Sequence, residues 1–114
     1  RGVAVNSLGA GLRVTDGAAK VWPQTERIKA WHAAQADGTA AQVQIARRKT
    51  DEALQGLARY LMEAPAGLWH EQMNADGSFA LQPCRASSLY HIVCAVDTLQ
   101  DAPTATRRPR SPTA

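Results

Sequence analysis

The stretch from 85 to 95, RASSLYHIVCA, combines a histidine with two serines, an arginine and an apolar run. If this run is helical, His91 faces away from the large apolar residues and lies about one turn from Ser88 and Ala95, whose small side chains leave room for a ligand. Near a helix start the dipole disfavours imidazolium, so a histidine there can accept a proton. His91 is therefore a candidate general base, and the alternative is a capping histidine bonded to backbone.

Three further side chains are candidates for substrate binding near the same helix start. Arg85 precedes the serine pair and, with a helix N-terminus, could hold an anion such as phosphate, although a surface arginine is the plainer interpretation. Trp22 and Trp69 lie on segments that lead to the same end of the predicted helices. Indole faces stack well on the C–H faces of sugars, but each tryptophan could equally be a packing anchor.

Neither the cysteines nor the histidines have the spacing of a metal site. Cys84 and Cys94 are too few for a disulfide framework, and reduced thiols fit a cytosolic protein. His32, His70 and His91 form no HxxxH motif and the chain has no CxxC, so zinc binding would require residues to converge in space. We expect neither a metal nor a cofactor.

Two hairpins are predicted, each before a helix. Residues 3–16 alternate around Gly-Ala-Gly, and residues 68–81 alternate around Asn-Ala-Asp-Gly. The first helix is expected to begin at Pro23, which suits the first helical position, with Glu26 in the first turn where the dipole favours a carboxylate. It should end near the Ala-Asp-Gly at 36–38.

The second helix is predicted to run from Thr39, its N-cap, to about Glu63, and a third helix to be capped by Ser87 or Ser88. Apolar residues at helical spacing mark the face that each helix should bury. They are Ile28, Trp31 and Ala34 in the first helix; Ala46, Thr50, Ala53, Leu54, Leu57 and Leu61 in the second; and Leu89, Ile92, Val93, Val96 and Leu99 in the third.

The order of hairpin, linker and helix occurs twice, and the two copies align with an offset of 65 residues. In this register Glu26 aligns with His91, so both should point toward the same end of two neighbouring helices. Such a period is typical of α/α architectures, in which helices 23–35 and 88–100 would share one layer and 39–63 would lie in the other. Three helices and two hairpins leave faces uncovered, which indicates a fragment that can self-associate through exposed helix faces.

The charge distribution argues against nucleic acid and membrane partners. The chain of 114 residues has a net charge of +3, yet Arg107, Arg108 and Arg110 lie within its last eight residues, and ten basic residues then balance ten acidic ones. We predict a folded unit over 1–104 and a disordered basic tail over 105–114. No apolar run approaches the length of about 20 needed to cross a bilayer, and the expected location is the cytoplasm.

Three blocks of the sequence resemble the N-acylglucosamine 2-epimerase family in order and spacing, and its mannose or mannose-6-phosphate isomerase branch in particular. The blocks are WPQTERIKA at 22–30, GLWHEQMNADGSF at 67–79 and ASSLYHIVCAV at 86–96. The resemblance implies an all-α fold, the C-terminal part of an (α/α)6 barrel (an α/α toroid), here with two short β-hairpins between helices.

The resemblance also implies proton exchange at C1 and C2 of a sugar by two histidines, through a cis-enediol. His91 matches one of them, Glu26 a residue that orients hydroxyls or polarises a partner, and Trp22 and Trp69 positions around the sugar. The other histidine, and an arginine, belong to family blocks upstream of this chain.

We therefore expect the C-terminal portion of a sugar isomerase or epimerase, which converts mannose or mannose 6-phosphate to the ketose and is inactive as this isolated chain. The expected partner is a sugar or sugar phosphate. The alternative is a non-catalytic remnant or a small helical binding module, and nucleic acid binding through the arginine tail is a third interpretation.

Overall fold

Three helices supply most of the regular structure in the computed structural model, which describes residues 1–104. They are α1 (Val21–Ala33), α2 (Ala40–Met62) and α3 (Ala86–Gln100), and α1 packs against both of the others. None of the helices in this part of the chain is long and apolar enough to cross a membrane. The predicted basic tail, 105–114, lies outside the described residues.

The ends of α2 agree with the sequence. Thr39 is its N-cap and forms a capping box, because its hydroxyl accepts from the Gln42 N–H while the Gln42 side chain accepts from the Thr39 N–H. The predicted stripe is buried or half-buried throughout. Tyr60, which the stripe did not include, is fully buried, and its hydroxyl donates to the carbonyl of Ala19 at 2.8 Å.

Both predicted hairpins are present, with strands shorter than expected. In the first, β1 (Ser7–Leu8) pairs antiparallel with β2 (Val14–Asp16). The second turns at Gly77, whose φ of +90° favours glycine, and its arms are joined by a bridge between Met73 and Phe79.

One sheet was not predicted. β3 (Ala19–Lys20) pairs antiparallel with β4 (Gln72–Met73), which ties the start of α1 to the second hairpin. The N–H of Val21 extends this pairing by donating to the carbonyl of Glu71 at 2.9 Å. The three helices and the β3–β4 sheet enclose a core that includes Ala19, Val21, Ile28, Ala53, Leu57, Tyr60, Met73 and Ile92, whereas the strands β1 and β2 are exposed.

The predicted start of α1 is wrong by two residues. The helix begins at Val21, so Pro23 is its third residue and Glu26 its sixth, beyond the first turn. The predicted buried face also changes, because Ile28 is fully buried whereas Trp31 is half-buried and Ala34 is exposed in the 3-10 turn that follows.

The predictions for α3 need two corrections. Arg85 rather than Ser87 or Ser88 occupies the N-cap, and both serines lie in the first turn. The buried face consists of Ser88, Ile92 and Ala95, whereas Leu89, Val93 and Val96 are about half exposed. Two of the three buried residues are small, which favours close packing of α3 against α1, and of the predicted larger residues Ile92 is buried and Leu99 packs against the core.

Candidate functional site

The candidate site is built around a direct contact between Glu26 and His91. Each is the sixth residue of its helix, so the 65-residue register places them at equivalent heights. The Nδ1 atom of His91 lies 3.1 Å from Oε1 of Glu26, within hydrogen-bond distance. The sequence therefore correctly predicted that the two side chains approach the same end of neighbouring helices.

This contact determines which ring nitrogen of His91 is free. A carboxylate accepts only, so the Nδ1 atom that faces it carries the proton. The Nε2 atom then presents a lone pair, and among the described residues it makes no hydrogen bond. The helix dipole acts most strongly in the first turn, and His91 lies beyond that turn. The contact with Glu26, rather than the dipole, is therefore what would make His91 a general base.

Glu26 is held as a carboxylate by its neighbours. Partial burial acts to raise its pKa, but hydrogen bonds from Lys29 and His91, together with their charges, lower the pKa below its usual range. The Lys29 ammonium lies 2.7 Å from the same Oε1 atom that His91 contacts. Glu26 is therefore ionised at neutral pH and able to stabilise an imidazolium on His91.

An open cavity of about 300 Å³ lies beside this pair, a volume suited to a small polar ligand. Three of the five predicted site residues, His91, Trp22 and Arg85, line it, and the Trp22 ring lies 6.0 Å from the His91 ring between centroids. Glu26 is not among the lining residues, but it contacts His91, which is one of them. The full lining set is Lys20, Trp22, Glu71, Gln82, Arg85, Ser87, Ser88 and His91.

Trp69 is placed differently from the other predicted residues. It is not among the residues that line this cavity, and it borders a separate cavity of about 280 Å³ together with Cys84. Its indole Nε1–H donates to Oε1 of Glu71 at 2.7 Å. Trp69 thus contacts the first cavity only indirectly, through the lining residue Glu71.

Glu71, like Lys20 and Gln82, is a lining residue that the sequence prediction missed. It is only 7% exposed, and its carboxylate accepts hydrogen bonds from the Trp69 indole, the Arg85 N–H and the Ser88 hydroxyl. The signal was present in the strand pattern, because alternation places Glu71 on the same face as Trp69 and the buried Met73. A carboxylate at an inward-facing position is unusual and indicates either a site or a polar network.

Two cationic side chains line the cavity. Lys20 and Arg85 both line it, and the first turn of α3 opens onto it with Ser87. The carboxylate of Glu71, also in the lining, already accepts three hydrogen bonds from protein groups. The cationic side chains are therefore the charged groups left to meet a ligand.

The remaining histidines and the cysteines are not part of this arrangement. Nε2 of His32 lies 3.1 Å from the carbonyl of Asp101, and Nε2 of His70 lies 3.0 Å from that of Glu63. Both cysteines are free thiols. Within residues 1–104, no group of three or more His, Cys, Asp or Glu side chains could hold a metal ion.

The fold and the site together define a mostly helical chain with a carboxylate-oriented histidine beside an open polar cavity, which is the geometry of general acid–base chemistry. A sequence model of the N-acylglucosamine 2-epimerase (GlcNAc 2-epimerase) family matches residues 1–95. The chain belongs to this family, which confirms the resemblance carried by the three blocks.

One curated relative extends the comparison. The chain is 39% identical over 103 residues to a protein of Rhizobium meliloti (strain 1021) named mannose-6-phosphate isomerase. The match covers 89% of this chain and 26% of that protein, so the chain spans about a quarter of the length of its relative. No solved structure matches the chain significantly.

Proposed function

We propose that this chain forms the C-terminal part of an (α/α)6-barrel sugar isomerase that converts mannose or mannose 6-phosphate to the corresponding ketose. The observation that carries the proposal is the contact of Glu26 with Nδ1 of His91, with the ring at the cavity wall. Membership of an epimerase family and the name of the Rhizobium relative support the choice of a sugar substrate.

In the proposed reaction, His91 moves a proton between two carbons of the open-chain sugar. Nε2 removes the proton from C2, the C2–H electron pair forms the C1–C2 double bond of a cis-enediol, and the carbonyl oxygen at C1 gains a proton. Return of a proton to C1 with loss of the O2 proton gives the ketose. Glu26 stabilises the imidazolium that exists between the two steps, as a carboxylate does for a histidine base.

We propose that the remaining cavity walls come from other helices of the barrel. The cavity is open, and the apolar side chains of Leu89, Val93 and Val96 on α3 are about half exposed. The family resemblance assigns a second histidine and an arginine to blocks upstream of those present here. We therefore expect the 114-residue chain alone to lack turnover.

A chimera tests the proposed function. This chain replaces the matching quarter of the Rhizobium enzyme, and turnover of mannose 6-phosphate is compared with that of a His91→Asn variant. A positioned general base contributes about 10²- to 10⁴-fold to a rate, so kcat should fall by that order while KM changes little. His70→Asn is the matched control, because His70 lies outside the cavity. Equal turnover in the His91→Asn chimera would refute the role of His91.

The two cations of the cavity suggest that the substrate is phosphorylated. Arg85→Ala in the chimera should raise KM for the sugar phosphate and leave KM for the free sugar unchanged, because a phosphate is the group that gains most from guanidinium. Arg47→Ala, an exposed position on α2, is the control. The same effect on both sugars would remove Arg85 as a phosphate ligand.

One observation favours a second candidate function, a helical binding module that self-associates. The exposed apolar side chains of α3 form a surface that a partner helix would bury. Under this alternative the 114-residue chain forms a defined oligomer in analytical ultracentrifugation, and charged substitutions at Val93 and Val96 dissociate it. A folded monomer at high concentration would argue against it.

A further inference from the structure

Glu71 connects three segments that surround the candidate site. Oε1 accepts from the Trp69 indole and from the N–H of Arg85, both at 2.7 Å, and Oε2 accepts from the Ser88 hydroxyl at 2.8 Å. Its backbone carbonyl accepts from the N–H of Val21. The backbone of Glu71 therefore holds the start of α1, as any residue at this position would, and its side chain holds the start of α3.

These hydrogen bonds satisfy groups that the helices cannot satisfy themselves. The first four N–H groups of a helix have no acceptor inside it, and the N–H groups of Val21 and Arg85 are among them. A buried carboxylate is costly unless its oxygens are hydrogen-bonded, and here both oxygens are. These hydrogen bonds therefore stabilise both the helix starts and the buried carboxylate of Glu71.

The contact between Glu26 and His91 depends on the relative height of α1 and α3. Each of the two residues lies five positions beyond the first residue of its helix, which corresponds to about 7.5 Å along the axis. A slip of one residue moves one side chain by about 1.5 Å, which is enough to break a hydrogen bond of ordinary length. Whatever fixes both helix starts therefore fixes this contact.

We infer that Glu71 is a positioning residue that sets the axial register of α1 against α3 and thereby holds Nδ1 of His91 on Glu26. It acts through hydrogen-bond geometry and not through its charge. The inference rests on the proposed function in so far as His91 is the base that is positioned. Glu71 itself transfers no proton in the proposed reaction.

The tautomer of His91 reports this role without any turnover. In the 114-residue chain labelled with ¹⁵N-histidine, at a pH where the imidazole is neutral, the ring nitrogen shifts distinguish Nδ1–H from Nε2–H. Wild type should show Nδ1–H, and Glu26→Ala should show the shift toward Nε2–H that an unpartnered ring prefers. Glu71→Ala should shift the His91 signals most of the way to those of Glu26→Ala. Glu52→Ala, a change on α2 outside the cavity, should shift nothing.

Glu71→Gln separates geometry from charge. Its amide oxygen can accept from the Trp69 indole and the Arg85 N–H, while its NH₂ group donates to the Ser88 hydroxyl, which then acts as acceptor. We expect the glutamine variant to retain the wild-type His91 signals. Signals that match Glu71→Ala instead would overturn the inference, because they would assign the effect to charge.

Ser88→Ala provides a milder perturbation in case Glu71→Ala does not fold. It removes only the hydrogen bond to Oε2, and it should raise the Nε2–H fraction above that of wild type. An unchanged His91 tautomer in Ser88→Ala, or in a folded Glu71→Ala, would overturn the inference. Because no sugar is present, an inactive chimera would refute the proposed isomerase while leaving this result intact.

Discussion

Removal of the Glu26 carboxylate should cost far more in catalysis than in stability. The side chains of His91 and Glu26 are 35% and 42% exposed, and solvent screening limits an ion pair of this kind to about 0.2–1 kcal/mol. The Glu26→Ala variant should therefore remain folded. In this variant His91 loses the carboxylate that fixes its tautomer. Part of the 10²- to 10⁴-fold rate enhancement that a positioned general base contributes is therefore lost.

We expect kcat of the Glu26→Ala chimera to fall by about 10- to 100-fold, which corresponds to about 1.4–2.7 kcal/mol in the activation barrier. This loss is smaller than the one expected for His91→Asn. This loss exceeds the whole stability term, so unfolding cannot account for it. Glu26→Gln should lie between Glu26→Ala and wild type, because the amide oxygen still accepts from Nδ1 but carries no charge.

Glu52→Ala is the matched control. Glu52 has a similar exposure, pairs with Lys49 at 2.7 Å three residues away as Glu26 does with Lys29, and lies on α2 outside the cavity. Steady-state kinetics and urea unfolding of all variants should show comparable stability losses, with a kcat loss only at position 26. A kcat loss of the same size in Glu52→Ala would refute the reasoning.

The pH dependence of stability checks the ionisation of Glu26, which Lys29 and His91 both favour. The pKa of Glu26 is lowered from its usual 4.5, so the folded state gains stability from it above pH 4.5. That gain should disappear as the pH falls through the lowered pKa. The difference in unfolding free energy between wild type and Glu26→Ala should therefore be full at pH 7 and vanish in acid.

Three further substitutions test the fold by urea unfolding at pH 7. Tyr60→Phe removes the hydroxyl that donates to the carbonyl of Ala19 and should cost about 0.5–1.5 kcal/mol. Because burial raises the pKa of Tyr60 to about 12, the contribution of this hydroxyl should be full below pH 10 and lost as the pH rises through 12. Thr39→Ala removes the capping box and should cost about 1 kcal/mol. Gly56→Ala places a Cβ 2.7 Å from a backbone carbonyl oxygen of the N-terminal segment and should cost about 1–3 kcal/mol.

Each of these substitutions has an outcome that would contradict the structure. A Tyr60→Phe variant as stable as wild type would mean that the hydroxyl is not buried against Ala19. Unchanged stability in Thr39→Ala would place the start of α2 elsewhere. A stabilising Gly56→Ala, as expected on an exposed helix face, would mean that the N-terminal segment does not cross α2 at this point.

The sequence correctly predicted the features of the fold that depend on residues close together in the chain. The capping box at Thr39 involves neighbours in sequence, so α2 was predicted almost to the residue. The equivalent positions of Glu26 and His91 at the same end of neighbouring helices were also predicted, because the two helices carry the same spacing; their direct contact was not predicted.

Long-range contacts decided the rest. The start of α1 moved to Val21 because the carbonyl of Glu71, 50 positions further along the chain, accepts its N–H. The same pairing of β3 with β4 brings Glu71 into the site, and neither strand is long enough to be recognised by itself. On α3, hydrophobic periodicity correctly selected Ile92, but it also selected the half-exposed Leu89, Val93 and Val96 and left out the small, buried Ser88 and Ala95.

The most direct test of the central claim is the origin of the hydrogen that arrives at C1. In the chimera turning over mannose 6-phosphate in D₂O, proton transfer through His91 should place solvent deuterium on C1 of the ketose phosphate, and His91→Asn should lower both turnover and incorporation by about 10²- to 10⁴-fold. Turnover with complete retention of the substrate hydrogen, at a rate unaffected by His91→Asn, would contradict the account.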